Sequence, residues 1–290
     1  MAWLWGSSFL AVGIGVETLD PETLVAGRMV IGAVILIAVL LVGGGTLGLG
    51  VRGWAIAAVV GMSANTVPFL LISFGQQKVD SGLAALIMGI GPVVTLSLAP
   101  LVHAEETLGV RKVIGAAIGF GGIIVLVGPE ALQGLGSDVV PQLMIVGAAL
   151  CYAFTALFTR RFPHSDPMQM AAGSVLIGAV TLAVYVGLVS GVDLPNPSVR
   201  SLWAMVYLGL GPTALAALIF FRLIPRIGAG RVQQINYVVP VLGLILGVVF
   251  LGERPEWNAL LAIPMILFAV YLVSWKTGRA AEPSIDVGVR

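Results

Sequence analysis

Long apolar runs follow one another along almost the whole chain, with short polar connections between them. A helix needs about 20 apolar residues to cross the hydrocarbon of a bilayer, and most of these runs reach that length. They are uniformly apolar rather than alternating, which excludes the strands of a membrane barrel. We therefore predict an all-α membrane protein with ten transmembrane helices. The predicted spans are 2–16, 23–42, 54–74, 82–102, 110–128, 139–159, 168–190, 200–221, 229–251 and 257–275.

The composition agrees with this class and excludes several others. Of the 290 residues, 58% are hydrophobic and only 10% are charged, whereas soluble domains carry about 25% charged residues. The single cysteine, Cys151, rules out a disulfide framework or a cysteine zinc site. No glycine-rich string has the context of a nucleotide loop. We expect no cofactor, metal, nucleotide or nucleic acid; the expected partners are a small-molecule substrate and the lipid bilayer, and the oligomeric state stays open.

The second half of the chain repeats the first at an offset of 148 residues. Each copy holds five predicted spans, so the second copy enters the membrane in the opposite orientation. Inverted repeats of this kind are typical of secondary transporters. We predict a first repeat over 1–135, a second, inverted repeat over 136–277, and a polar tail over 278–290. The matched residues are Gly61 with Gly209, Gly82 with Gly230, Pro92 with Pro240, and Glu105 with Glu253.

The basic residues predict the orientation. If the N-terminus is cytoplasmic, eleven Lys and Arg residues fall in inner connections or the C-terminal flank, and three fall in outer connections. Cytoplasmic loops of membrane proteins carry such an excess of positive charge. We therefore expect both termini in the cytoplasm, in the inner membrane of a bacterial cell.

The fourteen acidic residues all fall in predicted loops, tails or helix ends. Proton-coupled transporters usually carry an Asp, Glu or His within the membrane as a relay. Their absence from the interior of the spans favours facilitated movement or exchange of the substrate. Glu105 and Glu253 each follow one span and precede the next, and because a carboxylate favours a helix N-terminus, we expect both to cap helices.

Arg28 is the one basic residue that lies more than a turn inside a predicted span. One interpretation is an anion contact, such as a group that binds a substrate carboxylate. The other is a side chain that reaches toward the surface and pairs with Glu17, Asp20 or Glu22. The sequence favours the ion pair, and we take it as the expectation.

Polar and aromatic residues at depth in the predicted spans are candidates for the substrate site. Gln233, Tyr237 and Pro240 are spaced i, i+4 and i+7, so they share one helix face, and this cluster is our first choice. The alternative for any single residue is a hydrogen bond between packed helices. The other candidates at depth are Trp5, Ser63, Asn65, Tyr152, Thr155, Thr213 and Asn236.

Several strings resemble the EamA-type drug/metabolite transporter superfamily over nearly the whole chain. They are Trp5-Gly-Ser-Ser-Phe-Leu-Ala, Gly27-Arg28-Met29, Gly82-Leu-Ala-Ala with Gly91-Pro92 and Glu105, and Gly230 with Pro240 and Leu251-Gly252-Glu253-Arg254. The resemblance implies a ten-helix carrier whose cavity is lined by the first, third, fourth, sixth, eighth and ninth spans. On these spans it suggests substrate contacts at Trp5, Asn65, Met88, Tyr152, Gln233 and Tyr237.

Together these features predict a secondary carrier, not an enzyme, that exports small metabolites, most of all amino acids, by alternating access. The two copies are expected to rock about Pro68, Pro92, Pro212 and Pro240. Three alternatives stay open: a carrier of lipid-linked or nucleotide-sugar solutes, a membrane-embedded enzyme, and a scaffold without transport. The first would prefer more basic residues in the cavity, and the second needs a catalytic cluster that the sparse histidines and carboxylates do not supply.

Overall fold

The computed structural model describes residues 1–91, 94, 95, 98, 110–127, 139–161, 166–190, 196–219, 235–255 and 257–274. Within these ranges every regular element is helical and none is a strand. We number the helices in chain order. They are α1 Ala2–Gly15, α2 Pro21–Val42, α3 Gly50–Gly75, α4 Ser81–Met88, α5 Val110–Val127, α6 Val139–Arg161, α7 Pro167–Tyr185 with its continuation Val186–Ser190, α8 Val199–Ile219, α9 Ile235–Leu246 with its continuation Gly247–Leu251, and α10 Trp257–Ser274.

Five of the described helices are long and apolar enough to cross a membrane, judged by length and composition. They are α2, α3, α6, α7 and α8. Shorter apolar helical stretches lie in α1, α9 and α10. The described structure is therefore an all-helical bundle with the character of a membrane protein, as the apolar runs predict.

Local sequence signals set several helix starts. Pro21 occupies the first turn of α2, where its missing N–H costs nothing. The Asp166 carboxylate accepts hydrogen bonds from the backbone N–H groups of Met168 and Gln169 at 2.9 and 3.1 Å, which begins α7. Ser198 begins α8 in the same way, since its Oγ accepts from the Ser201 N–H at 3.1 Å.

Two π-helical segments lie at corresponding places in the two halves of the chain. The first is Gly61–Thr66 in α3, and the second is Gly209–Leu215 in α8. A proline accompanies each, because Pro68 closely follows the first and Pro212 lies within the second. Proline cannot donate to the carbonyl one turn earlier, and a widened turn accommodates the lost bond. This uncommon backbone conformation thus occurs at two places that lie 148 residues apart.

Several contacts between a helix of the first half and a helix of the second half have a counterpart, in which each helix is replaced by the corresponding helix of the other half. Helix α2 packs against the π segment of α8, and α7 packs against the π segment of α3. In the same way α1 packs on α9 while α6 packs on α4. Helix α1 also packs on the first part of α8, Val199–Leu208, whereas α6 packs mainly on the last part of α3, Val67–Gly75, so these two contacts do not correspond. The contacts α2–α7, α4–α9 and α5–α10 each join two helices that occupy the same position in the two halves. Each half therefore packs mainly through elements of the other half.

Gly61 and Gly209 lie at the exchanged contacts of the π segments. A Cβ atom on Gly61 would lie 2.5 Å from the carbonyl oxygen of Ser174 in α7. A Cβ atom on Gly209 would lie 2.6 Å from the Cβ of Ile31 and 3.0 Å from the carbonyl oxygen of Arg28, both in α2. Only glycine lets these backbones approach so closely.

Candidate functional site

The guanidinium of Arg28 lies inside the helix bundle, and the residue is only 5% exposed. Its Nε donates a hydrogen bond to the Oγ1 of Thr213 in the π segment of α8, at 2.8 Å. The guanidinium carbon lies 3.6 Å from the centroid of the Phe69 ring in α3, a distance at which the cation is attracted by the ring face. Tyr152 of α6 lies within electrostatic range of the same cation. Residues of three helices, α2, α3 and α8, thus meet at Arg28.

The expected ion pair of Arg28 with Glu17, Asp20 or Glu22 is wrong. Glu17 pairs instead with Arg200 at 3.7 Å, at a partly exposed position. Arg28 faces the contact of α2 with α8, where Thr213 and Phe69 replace water around it. The rotation of α2 about its axis decides this, and the rotation follows from packing against another part of the chain.

Two of the predicted substrate residues border the same extended hydrophobic core. Met88 at the end of α4 and Tyr152 in α6 both pack against the buried cluster that contains Leu86, Ile87 and Ala149. Of the two, Tyr152 also lies within electrostatic range of Arg28.

Trp5 and Asn65 are half-buried on α1 and on the π segment of α3. Next to Asn65, the buried Thr66 Oγ1 has no hydrogen-bond partner among the described residues. Asn65 and Thr213, which correspond in the repeat, thus both lie on π segments, and only Thr213 is bonded to Arg28.

Ser63 and Thr155 join the two helices on which they lie. The Oγ1 of Thr155 in α6 donates to the Oγ of Ser63 in α3 at 2.8 Å. Thr155 is also close to the carbonyl of Cys151, one turn earlier in its own helix. For this pair the structure supports the role of a bond between packed helices rather than that of a substrate contact.

The predicted cluster around α9 falls largely outside the described part of the chain. Gln233 and Pro92 lie outside it altogether. Asn236, Tyr237 and Pro240 belong to α9, but their side chains are outside the description. These five residues stay predictions. Of the proposed hinge prolines, Pro68 and Pro212 are described, and both are buried.

A pocket of about 400 Å³ lies between α1, α8 and the end of α9. Its walls are mostly apolar and aromatic, with Trp3, Trp203 and Phe250 among them. Its polar lining residues are Arg200, Ser7 and Tyr207, and the Ser7 Oγ and the Tyr207 hydroxyl are hydrogen-bonded at 2.6 Å. Such a pocket suits a small, partly apolar solute.

A second, smaller pocket of about 210 Å³ is lined mainly by polar residues and includes Gln76 and Glu253. The Gln76 amide donates to the carbonyl of Phe9 at 3.0 Å, and its buried Oε1 has no partner among the described residues. Glu253 accepts hydrogen bonds from the N–H and Oγ of Ser81 at 2.8 and 2.5 Å, and from the N–H of Gly82 at 2.8 Å. Glu253 is therefore a helix cap, but it caps α4 in the other half rather than the helix that follows it in the chain. Glu105 lies outside the described residues.

Phe69, Tyr207 and Gln76 take part in these arrangements and were not predicted from the sequence. A phenylalanine in a chain that is 58% hydrophobic gives no sign that it covers a cation. Gln76 offers a weak signal, because a glutamine at the end of an apolar helix needs a hydrogen-bond partner if it is buried. Their partners come from other helices, which the local sequence does not reveal.

The comparison with known protein families settles the class. The model of the EamA-like transporter family matches residues 1–128 and 140–275. The chain belongs to this family. This EamA-like chain is therefore a membrane transporter, and its family indicates transport rather than enzymatic catalysis.

Named relatives of this EamA-like transporter agree with that assignment. The "Uncharacterized inner membrane transporter YedA" of Escherichia coli K12 is 29% identical over 93% of this chain and 87% of its own length. The "Probable terminal-alkyne amino-acid exporter" of Streptantibioticus cattleyicolor is 25% identical over 97% of this chain and 93% of its own. A solved crystal structure covers 94% of both chains with a TM-score of 0.67 and 22% identity, which shows a similar fold.

Proposed function

We propose that this EamA-like transporter exports small metabolites, amino acids foremost, across the bacterial inner membrane by alternating access. The exchanged helix contacts carry the proposal. Because α2 packs on the π segment of α8 and α7 packs on that of α3, two related arrangements of the halves are available with similar packing. Two such arrangements are what a carrier needs to open first to one side and then to the other.

The same contacts support the proposed architecture of two inverted five-helix repeats, 1–135 and 136–277, followed by the tail 278–290. Several contacts, such as α2 with the π segment of α8 and α7 with that of α3, correspond at an offset of 148 residues. In this architecture ten helices cross the membrane, and the excess of Lys and Arg in alternate connections favours both termini in the cytoplasm. The distribution of charge and the pattern of contacts are independent observations that lead to the same arrangement.

The substrate class rests on the chemistry of the interior and on one named relative. The described carboxylates, such as Asp20, Asp80 and Asp166, lie at helix ends. The described interior therefore offers hydrogen-bonding groups and one cation, which suits small solutes better than phosphates that need several basic residues. One relative is named as an amino-acid exporter. We propose that the solute passes Trp5, Asn65, Met88, Tyr152, Gln233, Asn236 and Tyr237, without coupling to protons.

Purified protein in liposomes should speed the movement of labelled amino acids down their gradients. Each of the proteinogenic amino acids is tested separately, with empty liposomes as the control. We expect at least one to move faster than in empty liposomes by about tenfold or more, a difference of about 1.4 kcal/mol in the barrier. Collapsing an imposed pH gradient should leave the rate nearly unchanged. If no member of the panel moves faster than in empty liposomes, export of amino acids is the wrong function.

The substitution Asn236→Trp should stop transport without unfolding the protein, because the larger side chain would fill the predicted path of the solute. The matched control is Val249→Trp, on the continuation of the same helix at a side chain that is 67% exposed. We expect flux to fall by about tenfold or more for the first variant and to stay near the wild-type value for the second. Normal flux with folded Asn236→Trp protein would place the path elsewhere.

A further inference from the structure

Arg28 is a buried cation for which the described part of the chain provides no counter-ion. The residue is 5% exposed and belongs to α2, one of the helices long and apolar enough to span a membrane. A charged side chain at such a position is costly, and it normally pairs with an opposite charge or marks a functional site. Among the described residues no carboxylate lies within the 4.0 Å of an ion pair with Arg28.

The described contacts of the guanidinium involve its Nε and its central carbon. Nε donates to Thr213, and the central carbon lies over the Phe69 ring. Within the described part of the chain neither Nη1 nor Nη2 is hydrogen-bonded. These two nitrogens are therefore the atoms with which Arg28 can bind a further group.

We propose that Arg28 is the group that holds the carboxylate of the transported solute, a proposal that rests on the carrier function above. The edge of the guanidinium that carries Nη1 and Nη2 presents parallel N–H donors, which match the two oxygens of a carboxylate. Thr213 and Phe69 fix the plane of the fork before the solute arrives, so little ordering remains to be done on binding. The site offers a single positive charge, and this favours a carboxylate over a phosphate, which carries more charge.

The position of Arg28 also connects binding to the conformational change. Thr213 belongs to the π segment of α8, and Phe69 follows the π segment of α3. A carboxylate at Arg28 would thus be held by a cation whose described contacts come from the π segment of α8 and from the helical turn that follows the π segment of α3. Any change in how the halves pack alters the orientation of the guanidinium and with it the affinity for the solute.

The first test compares amino acids with their α-amides in liposomes that contain the wild-type protein. The amides keep the side chain and the amino group and lack the carboxylate. For each amino acid that moves, we expect flux to exceed that of its amide by about tenfold or more. Equal flux of acid and amide would overturn the role of Arg28 and leave the carrier function standing. Flux of neither compound would overturn the carrier function and the role of Arg28 together.

The second test uses variants of the same site. Arg28→Gln should reduce the ratio of acid flux to amide flux by about tenfold or more, while Arg28→Lys should be intermediate because it keeps the charge and loses the fork. Thr213 is a positioning residue: Thr213→Val should raise the KM for the acid but not for the amide, and Thr213→Ser should restore it. Equal losses for acid and amide in Thr213→Val would mean that the bond only stabilises the fold. The comparison of acid and amide in wild-type protein stands even if Arg28→Gln does not fold.

Discussion

Alanine at Gly61 or at Gly209 should lower the free energy of unfolding by about 1–3 kcal/mol in each case, because overpacking forces backbones apart. The added Cβ would lie 2.5 Å from the Ser174 carbonyl oxygen in the first variant, and 2.6 Å from the Ile31 Cβ in the second. Neither atom is the far end of a flexible side chain, so a helix has to move. Unfolding in mixed micelles by titration with SDS measures the change.

Gly187→Ala is the matched control for this pair. Gly187 also lies in a π-helical segment, Val186–Ser190, and a Cβ there would meet no atom within 4 Å. We expect its stability to stay within about 0.5 kcal/mol of the wild-type value. Wild-type stability of both Gly61→Ala and Gly209→Ala would contradict the close contacts of α2 with α8 and of α7 with α3. A loss in only one of them would show that the two contacts are not equivalent.

The sequence predicts the helices well and their backbone details poorly. Apolar runs and caps such as Asp166 identify where helices lie, since the bilayer demands long hydrogen-bonded segments. The π segments were not predicted, because a widened turn has no local signature apart from a nearby proline. Their matching positions, Gly61–Thr66 and Gly209–Leu215, become meaningful only when the repeat is laid over the structure.

The site likewise contains one residue that the sequence identifies and partners that only the packing of helices reveals. Arg28 stands out as the one basic residue more than a turn inside a predicted span. Its partner Thr213 is 185 residues away, and the local carboxylates that the sequence offered as partners do not reach it. Helix periodicity gives the face on which a residue lies, whereas the neighbour of that face depends on the rotation and position of other helices.

Alanine at Glu253 should cost about 2–4 kcal/mol of stability, since three hydrogen bonds to a carboxylate would be lost at once. The donors are the N–H and Oγ of Ser81 and the N–H of Gly82, at the start of α4. A negative charge at this end also interacts favourably with the helix dipole. Glu253→Gln keeps one acceptor, so its loss of stability should be about half as large.

The control is Glu17→Ala, which removes only a partly exposed ion pair with Arg200 and should change stability by less than about 1 kcal/mol. If Glu253 holds α4 from the other half of the chain, SDS titration should find Glu253→Ala the most destabilised variant, Glu253→Gln the next and Glu17→Ala the least. Equal losses for Glu253→Ala and Glu17→Ala would mean that the cap contributes nothing beyond a surface charge.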